Sequence, residues 1–279
     1  MKLNFTKMQG CGNDYIYINC FDTQINNPEQ LAATLSDRHY SVGGDGLVLM
    51  LPSDIADAKM RMFNLDGSES KMCGNAIRCV AKYLYDERIV TSSEMSIETP
   101  SGIKTIDSTV KNGLVETVSV NMGQAMLTPS AIPVNLTGES VIGSCVAFGD
   151  TNYSITCVSM GNPHTIIFCT DVAGFPVAEV GALLETDVLF PEKTNVEFVQ
   201  VISDRHIKMR VWERGCGETF ACGTGACAAA VAAVLNGYGS KGVDIKVELI
   251  GGDLLINYTD DAVIMTGDCK KVFDGTVEI

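Results

Sequence analysis

The chain has 279 residues, 46% of them apolar, with 20 Lys and Arg against 34 Asp and Glu and a net charge of −14. That length suits one large domain or two ordinary ones. The acidic balance argues against a nucleic-acid partner or an anionic membrane surface, both of which need basic surface. The N-terminal "MKLNFTKMQG" has no apolar stretch of signal-peptide length. The longest apolar run, "ACAAAVAAVL" at 226–235, falls short of the roughly 20 residues of a membrane-spanning helix. A cytoplasmic location is the expectation. The eleven cysteines include no C-x-x-C pair, and their odd number argues against a disulfide framework. In chain order, "YIYIN", "GLVLML", "AKMRMFN", "SITCVSM", "TIIFC", "NVEFVQVI" and "IKMRVWE" read as strands bounded by Gly, Pro, Asn and Asp. Two helices stand out. In "NAIRCVAKYLYD" the residues Ile77, Val80, Ala81 and Leu84 keep helical spacing, with Arg78 and Lys82 on another face. "GACAAAVAAVLNG" is apolar nearly all round, which predicts deep burial, with Asn236-Gly237 as its stop.

An internal repeat organises these elements. "RMFNLDGSESKMCGN" (61–75) and "RVWERGCGETFACGT" (210–224) align with Cys73 on Cys222, a shift of 149 positions (222 − 73). The same ungapped shift places Lys59, Met60 and Arg61 on Lys208, Met209 and Arg210. It places Phe63 on Trp212, Glu69 on Glu218, Ser70 on Thr219, and Gly12-Asn13 on Gly161-Asn162. Downstream, "IETPSG" resembles "VELIGG", and "VSVNMG" resembles "AVIMTG". The expected fold is α+β: two pseudo-symmetric lobes, each of mostly antiparallel strands around a central helix, with the active site in the cleft between them. The expected boundaries are 1–120 plus 265–279 for the N-terminal lobe and 121–264 for the C-terminal lobe.

Cys73 and Cys222 each stand where a loop becomes a helix. A helix N-terminus offers unclaimed N–H groups and the positive end of its dipole. Both favour a thiolate and can hold a carboxylate. Two such ends facing each other would set one sulfur on each side of an α-carbon. A thiolate would remove the proton from one face and a thiol would return one to the other. Inversion needs an acid and a base on opposite faces, and a duplicated half-site supplies both. Two sulfurs so placed would also lie close enough for oxidation to join Cys73 to Cys222 and block the site. The remaining cysteines read differently. Cys20, Cys79, Cys145, Cys157, Cys169, Cys227 and Cys269 read as small core hydrophobes. Cys11 and Cys216 sit in Gly-rich loops without a counterpart under the shift. His39 and His206 have no functional case.

The segments "GCGNDY", "DRHYSVGGDG", "FNLDGSESKMCGNAIRC", "MGNPH", "TNVEFVQ" and "WERGCGETFACGTGACA" span residues 10–230 in the order in which they occur in the diaminopimelate epimerases, and the sequence resembles that family. The resemblance implies a cofactor-independent and metal-independent isomerase. Such an enzyme interconverts LL- and meso-diaminopimelate for lysine and cell-wall precursor biosynthesis, without pyridoxal phosphate. It implies Cys73 and Cys222 as the acid–base pair, and Gly74, Asn75, Gly223 and Thr224 as backbone donors to the α-carboxylate. Asn13, Asn64, Asn162, Asn195, Glu213 and Arg214 match positions that grip the ammonium groups and distal carboxylate, and His164 matches a residue beside the catalytic centre. Gly46 departs from the pattern, standing where the family more often carries a side-chain amide. The implied partner is a small amino-acid substrate, and a homodimer is compatible with the sequence. The nearest alternatives are a proline, hydroxyproline or histidine racemase using the same two-cysteine scheme. A non-catalytic amino-acid sensor would not need both sulfurs, and a cysteine hydrolase gives no reason for the second. "GTGACA" fits a loose dinucleotide pattern but lacks the preceding strand that the pattern requires.

Overall fold

A computed structural model describes residues 2–278. The chain divides into two units, Met1–Asn121 with Thr266–Ile279, and Met122–Met265. In the first unit the elements run β1 (Lys2–Gly10), β2 (Asn13–Asn19), α1 (Pro28–Ser36), β3 (Gly46–Leu51), β4 (Ala58–Asn64), β5 (Glu69–Ser70), α2 (Gly74–Asp86), β6 (Glu94–Thr99), β7 (Gly102–Lys111) and β8 (Leu114–Asn121). The second carries β9 (Ser144–Phe148), β10 (Thr151–Ser159), β11 (Pro163–Phe168), α3 (Val177–Glu185), β12 (Asn195–Ser203), β13 (His206–Glu213), β14 (Gly217–Thr219), α4 (Gly223–Leu235), β15 (Asp244–Leu249) and β16 (Gly252–Tyr258). The chain continues through β17 (Val263–Asp268) to β18 (Lys270–Glu278), which pairs antiparallel with β1.

The two units share one pairing scheme. In the first, β1–β2, β3–β4, β6–β7 and β7–β8 are antiparallel, whereas β2–β3 and β4–β6 are parallel. In the second, β10–β11, β12–β13 and β15–β16 are antiparallel, whereas β11–β12 and β13–β15 are parallel. Each parallel pair is bridged by a crossover that contains a helix, as parallel neighbours require. Thus α1 and α3 occupy equivalent crossovers, and so do α2 and α4. The nine-residue helices α1 and α3 are additions to the sequence expectation, as are the parallel pairs.

Each unit has its own core. Leu3, Phe5, Ile16, Leu47, Leu49 and Phe63 form one, with Ala32 and Leu35 of α1 packed among them. Ile155, Ile167, Val196 and Phe198 form the other, with Val180 and Leu184 of α3. The repeat extends to the surface. Arg61 pairs with Glu69 at 2.7 Å across β4–β5, and Arg210 pairs with Glu218 at 2.7 Å across β13–β14.

The two long helices differ in composition. In α4 nearly every residue from Gly223 to Ala233 is buried, as its unbroken apolar pattern requires. Alanine, the strongest helix former, supplies most of it and lets neighbours approach on every side. The helix stops at Asn236, followed by Gly237 at φ +77, a conformation suited to glycine. Helix α2 buries Ile77, Val80, Ala81 and Leu84 as expected, but the polar face is not what its charges suggest. Arg78 has no exposed surface at all. Its guanidinium donates to the Gly74 carbonyl at 3.1 Å and the Asp268 carbonyl at 3.3 Å, and approaches Cys11 Sγ at 3.4 Å. Charge periodicity cannot reveal carbonyl partners supplied 190 residues away. The expectation of core cysteines holds at positions 20, 79, 157, 227 and 269. It fails at Cys145, which is exposed on β9, and at Cys169, which is only partly buried after β11. Among the described residues, no helix is long and apolar enough to cross a membrane.

Candidate active site

The residues singled out from sequence lie at corresponding places in each unit, at the N-terminus of its long helix and at the ends of strands. Cys73 and Cys222 are the N-cap residues of α2 and α4, with extended backbones at φ −139, ψ 119 and φ −119, ψ 111. Each carbonyl takes the first intrahelical bond, from Ile77 at 3.0 Å and from Ala226 at 2.9 Å. The helix therefore begins at the residue after the sulfur in both units, and Gly74 and Gly223 fill that first position.

In the first unit, Asn75 is buried and donates from its side-chain nitrogen to Asn13 Oδ1, and Asn13 Nδ2 donates in turn to Asp45 at 3.3 Å. Asp45 and Asp14 are held by Arg38, at 2.8 and 2.5 Å. Lys7 lies 2.7 Å from Asp14. The Tyr15 hydroxyl lies 3.8 Å from Cys73 Sγ. Asn64 ends β4, donates to Ser68 Oγ at 3.0 Å and stands opposite Gly46. A Cβ on Gly46 would fall 2.1 Å from the Phe63 carbonyl oxygen, so the absence of a side chain there is a steric requirement of the β3–β4 pairing.

In the second unit, Asn162 donates to Thr224 Oγ1 at 3.3 Å, and Thr224 Oγ1 lies 3.5 Å from Cys222 Sγ. The Gly225 backbone N–H also donates to that sulfur, at 3.4 Å. His164 is wholly buried, with Nε2 3.0 Å from Asn162 Oδ1 and Nδ1 2.6 Å from Glu197 Oε1. Glu213 accepts from the Thr219 hydroxyl at 2.5 Å and is also hydrogen-bonded to the Cys222 side chain. Asn195 is buried and committed to backbone, donating to the Pro163 carbonyl at 2.8 Å and accepting from Arg214 N–H at 3.0 Å. It thereby fixes the turn that carries Arg214, whose exposed guanidinium is steadied by the Glu192 carbonyl at 2.8 Å. Of the two loop cysteines, Cys216 is exposed and Cys11 buried.

The electrostatics of Cys222 reverse one expectation. A helix N-terminus lowers a thiol's pKa, but burial pushes the Cys222 thiol well up, and the carboxylates of Glu213 and Glu197 push it further. The bonds from Thr224 and Gly225 oppose this without overcoming it. The protonated thiol is thereby the favoured form of Cys222. Burial likewise raises the Glu213 carboxyl from its ordinary value, against the bonds from Thr219 and Cys222. Glu197 is the buried residue that sequence reading missed. It sits in a strand whose neighbours on both sides are core, and nothing local marks it as facing a histidine.

The architecture is shared with solved structures of known type. A hydroxyproline epimerase from Agrobacterium vitis matches with a TM-score of 0.73 at 14% identity, covering 99% of this chain and 92% of that one. A phenazine biosynthesis protein of the PhzF family from Bacillus anthracis matches with a TM-score of 0.72 at 16% identity, covering 100% of both. At such identities the likeness is one of fold, and it defines the class: α+β proteins built from a repeated unit. Sequence carries the assignment further. The chain belongs to the diaminopimelate epimerase family, which it matches over residues 5–128 and 156–272, and it is an isomerase. It is 52% identical to a diaminopimelate epimerase of Methanococcus maripaludis, covering 99% of this chain and 100% of that one. It is 50% identical to one of Acetivibrio thermocellus, covering 99% of each.

Proposed function

We propose that this protein interconverts LL- and meso-diaminopimelate without a cofactor, Cys73 and Cys222 exchanging protons at one α-carbon. The observation that carries this reading is the full-length relationship, at 52% identity, to a protein of that name. The equivalent N-cap placement of the two cysteines supports the mechanism.

The chemistry follows from the half-sites. The α-hydrogen of an amino acid is weakly acidic, so the carbanion must be stabilised. The N–H groups at Gly74-Asn75 and Gly223-Thr224 would hold the α-carboxylate and oppose the developing charge. In one direction the Cys73 thiolate takes the α-hydrogen and becomes a thiol. Cys222 gives its hydrogen to the opposite face and becomes a thiolate. The configuration inverts and the roles are exchanged, ready for the reverse reaction. The burial that pushes the Cys222 thiol up favours its protonated form and so suits it to this first donation. At the distal end, Arg214 would clamp the second carboxylate. Asn64 and Glu213 would meet the ammonium groups directly, Asn13, Asn162 and Asn195 would hold the surrounding hydrogen bonds in place, and His164 would support the centre. The product would enter lysine and cell-wall precursor synthesis in the cytoplasm.

The test is incorporation of solvent deuterium at the α-carbon of LL-diaminopimelate. The wild type should incorporate deuterium on inversion. Cys73→Ala and Cys222→Ala should each lose racemising turnover. Exchange on proline or histidine but not on diaminopimelate would reassign the substrate. Full turnover in either cysteine variant would refute the mechanism.

A further inference from the structure

Glu197 lies on β12 with no exposed surface, and its counterpart under the 149-residue shift (197 − 48) is Val48. Burying a carboxylate is costly unless its hydrogen bonds are made. Here one oxygen, Oε2, is buried without a hydrogen-bond partner. A costly group where the sister unit has valine calls for a functional reason. The other oxygen supplies it, 2.6 Å from His164 Nδ1.

His164 Nε2 lies 3.0 Å from Asn162 Oδ1, so both ring nitrogens face oxygens. A carboxylate and an amide carbonyl both accept, so in this arrangement each ring nitrogen would be the donor of its bond. Asn162, its carbonyl so committed, turns its amino group to Thr224 Oγ1 at 3.3 Å. Thr224, having accepted, has its hydroxyl hydrogen left for Cys222 Sγ at 3.5 Å. Each link fixes the direction of the next. Gly225 makes room for the arrangement, since a Cβ there would fall 2.7 Å from Glu197 Oε1. The first unit is built otherwise. Tyr15 occupies the place of His164, and the amide bond runs the opposite way, from Asn75 to Asn13.

We propose that Glu197 is a positioning residue for the reaction at Cys222, acting through His164. By holding the ring as a donor at both nitrogens, it sets a one-way run of hydrogen bonds that ends with the Thr224 hydroxyl donating to the sulfur. That donation favours negative charge on Cys222 whenever it must act as the base. A reversed run would leave Thr224 accepting from the thiol and holding it protonated. This inference rests on Cys222 being a proton-transfer group.

Nitrogen-15 labelling of histidine tests it directly, since the chain has three histidines and single substitutions assign them. In the wild type, His164 should show hydrogen on both ring nitrogens. Glu197→Gln keeps the shape but removes the charge that holds the second hydrogen, so one nitrogen should become bare. Its kcat should fall roughly 10- to 100-fold, the range for losing an orienting outer-shell partner, with KM within about threefold. Thr224→Val should lose comparable kcat while keeping the wild-type His164 signature, and Thr224→Ser should restore most of it. The proposal is overturned if Glu197→Gln leaves the His164 spectrum or kcat unchanged. Should that variant fail to fold, a bare His164 nitrogen in the wild type, or full kcat in Thr224→Val, overturns it equally. A wild type inactive on diaminopimelate would sink the substrate reading, and the His164 spectra would still decide the hydrogen-bond direction.

Discussion

Gly46→Ala is the sharpest test of how the β3–β4 pairing constrains its neighbourhood. The new Cβ would stand 2.1 Å from the Phe63 carbonyl oxygen, 3.1 Å from its carbon and 3.3 Å from the Asn64 Cα. All are backbone atoms, so no side chain can swing aside. Ordinary contact begins near 3.4 Å, so the strands must part by roughly 1.3 Å (3.4 − 2.1). Overpacking of this kind costs about 1–3 kcal/mol, and each ladder bond weakened adds about 1 kcal/mol. Removing a glycine returns roughly 0.5–1 kcal/mol through the unfolded chain. A net loss of about 2 kcal/mol corresponds to about 4 °C in Tm, at about 2 °C per kcal/mol for a chain of this length. Thermal unfolding followed by far-ultraviolet circular dichroism measures it. Asn64 shares the displaced segment, so KM should rise as well. Gly46→Gln, which restores a side-chain amide, should fare no better. A variant of either kind melting within about 2 °C of wild type would refute the steric argument.

Three further outcomes are expected. Burial pushes the Cys20 thiol up to about 11 and the Cys157 thiol to about 12, against about 8.5 in an unfolded chain. The unfolded chain therefore loses protons that the folded one keeps, so stability is full below about pH 8.5 and declines as pH climbs towards 11 and 12. Urea midpoints should fall across that window, with a shallower fall in Cys157→Ala, and a flat profile would contradict the assignment. Arg214→Lys keeps the charge but loses the planar fork that Glu192 steadies, so KM should rise about tenfold, near 1.4 kcal/mol, with a smaller change in kcat. Equal losses in kcat and kcat/KM would instead put Arg214 at the reacting centre. Gly181→Ala would set a Cβ 2.5 Å from Trp212, and should lower stability by about 1–3 kcal/mol and shift the emission of the chain's one tryptophan. An unaltered spectrum would show that α3 can move away from β13.

Much of this fold is written locally. "GLVLML" and "AKMRMFN" are strands from end to end because one is an apolar run, the other alternates buried Ala58, Met60 and Met62 with half-covered Lys59 and Arg61, and both are closed by turn residues. The two Cys-Gly steps open helices because glycine follows the cap and an apolar helical pattern follows the glycine. The rest depends on partners distant in sequence. Nothing in "NAIRCV" marks Arg78 as internal, because its acceptors are backbone carbonyls, one of them at Asp268. Glu197 sits in "NVEFVQ" as an ordinary strand carboxylate, and its meaning appears only when β11 brings His164 alongside in parallel register. The Cys222 thiol moved opposite to the helix-terminus expectation because desolvation and two carboxylates, none visible at the cap itself, outweigh the dipole.

The crowding around α4 has a consequence for how the sequence can drift. Its alanines are flanked on every side, so nearly any heavier replacement from Ala226 to Ala233 must collide with something. Helix α2, with tyrosines and a lysine among its partly covered positions, can vary in bulk along that flank. Sister halves that began alike should therefore accumulate change at unequal tempo, the alanine rod lagging behind its twin.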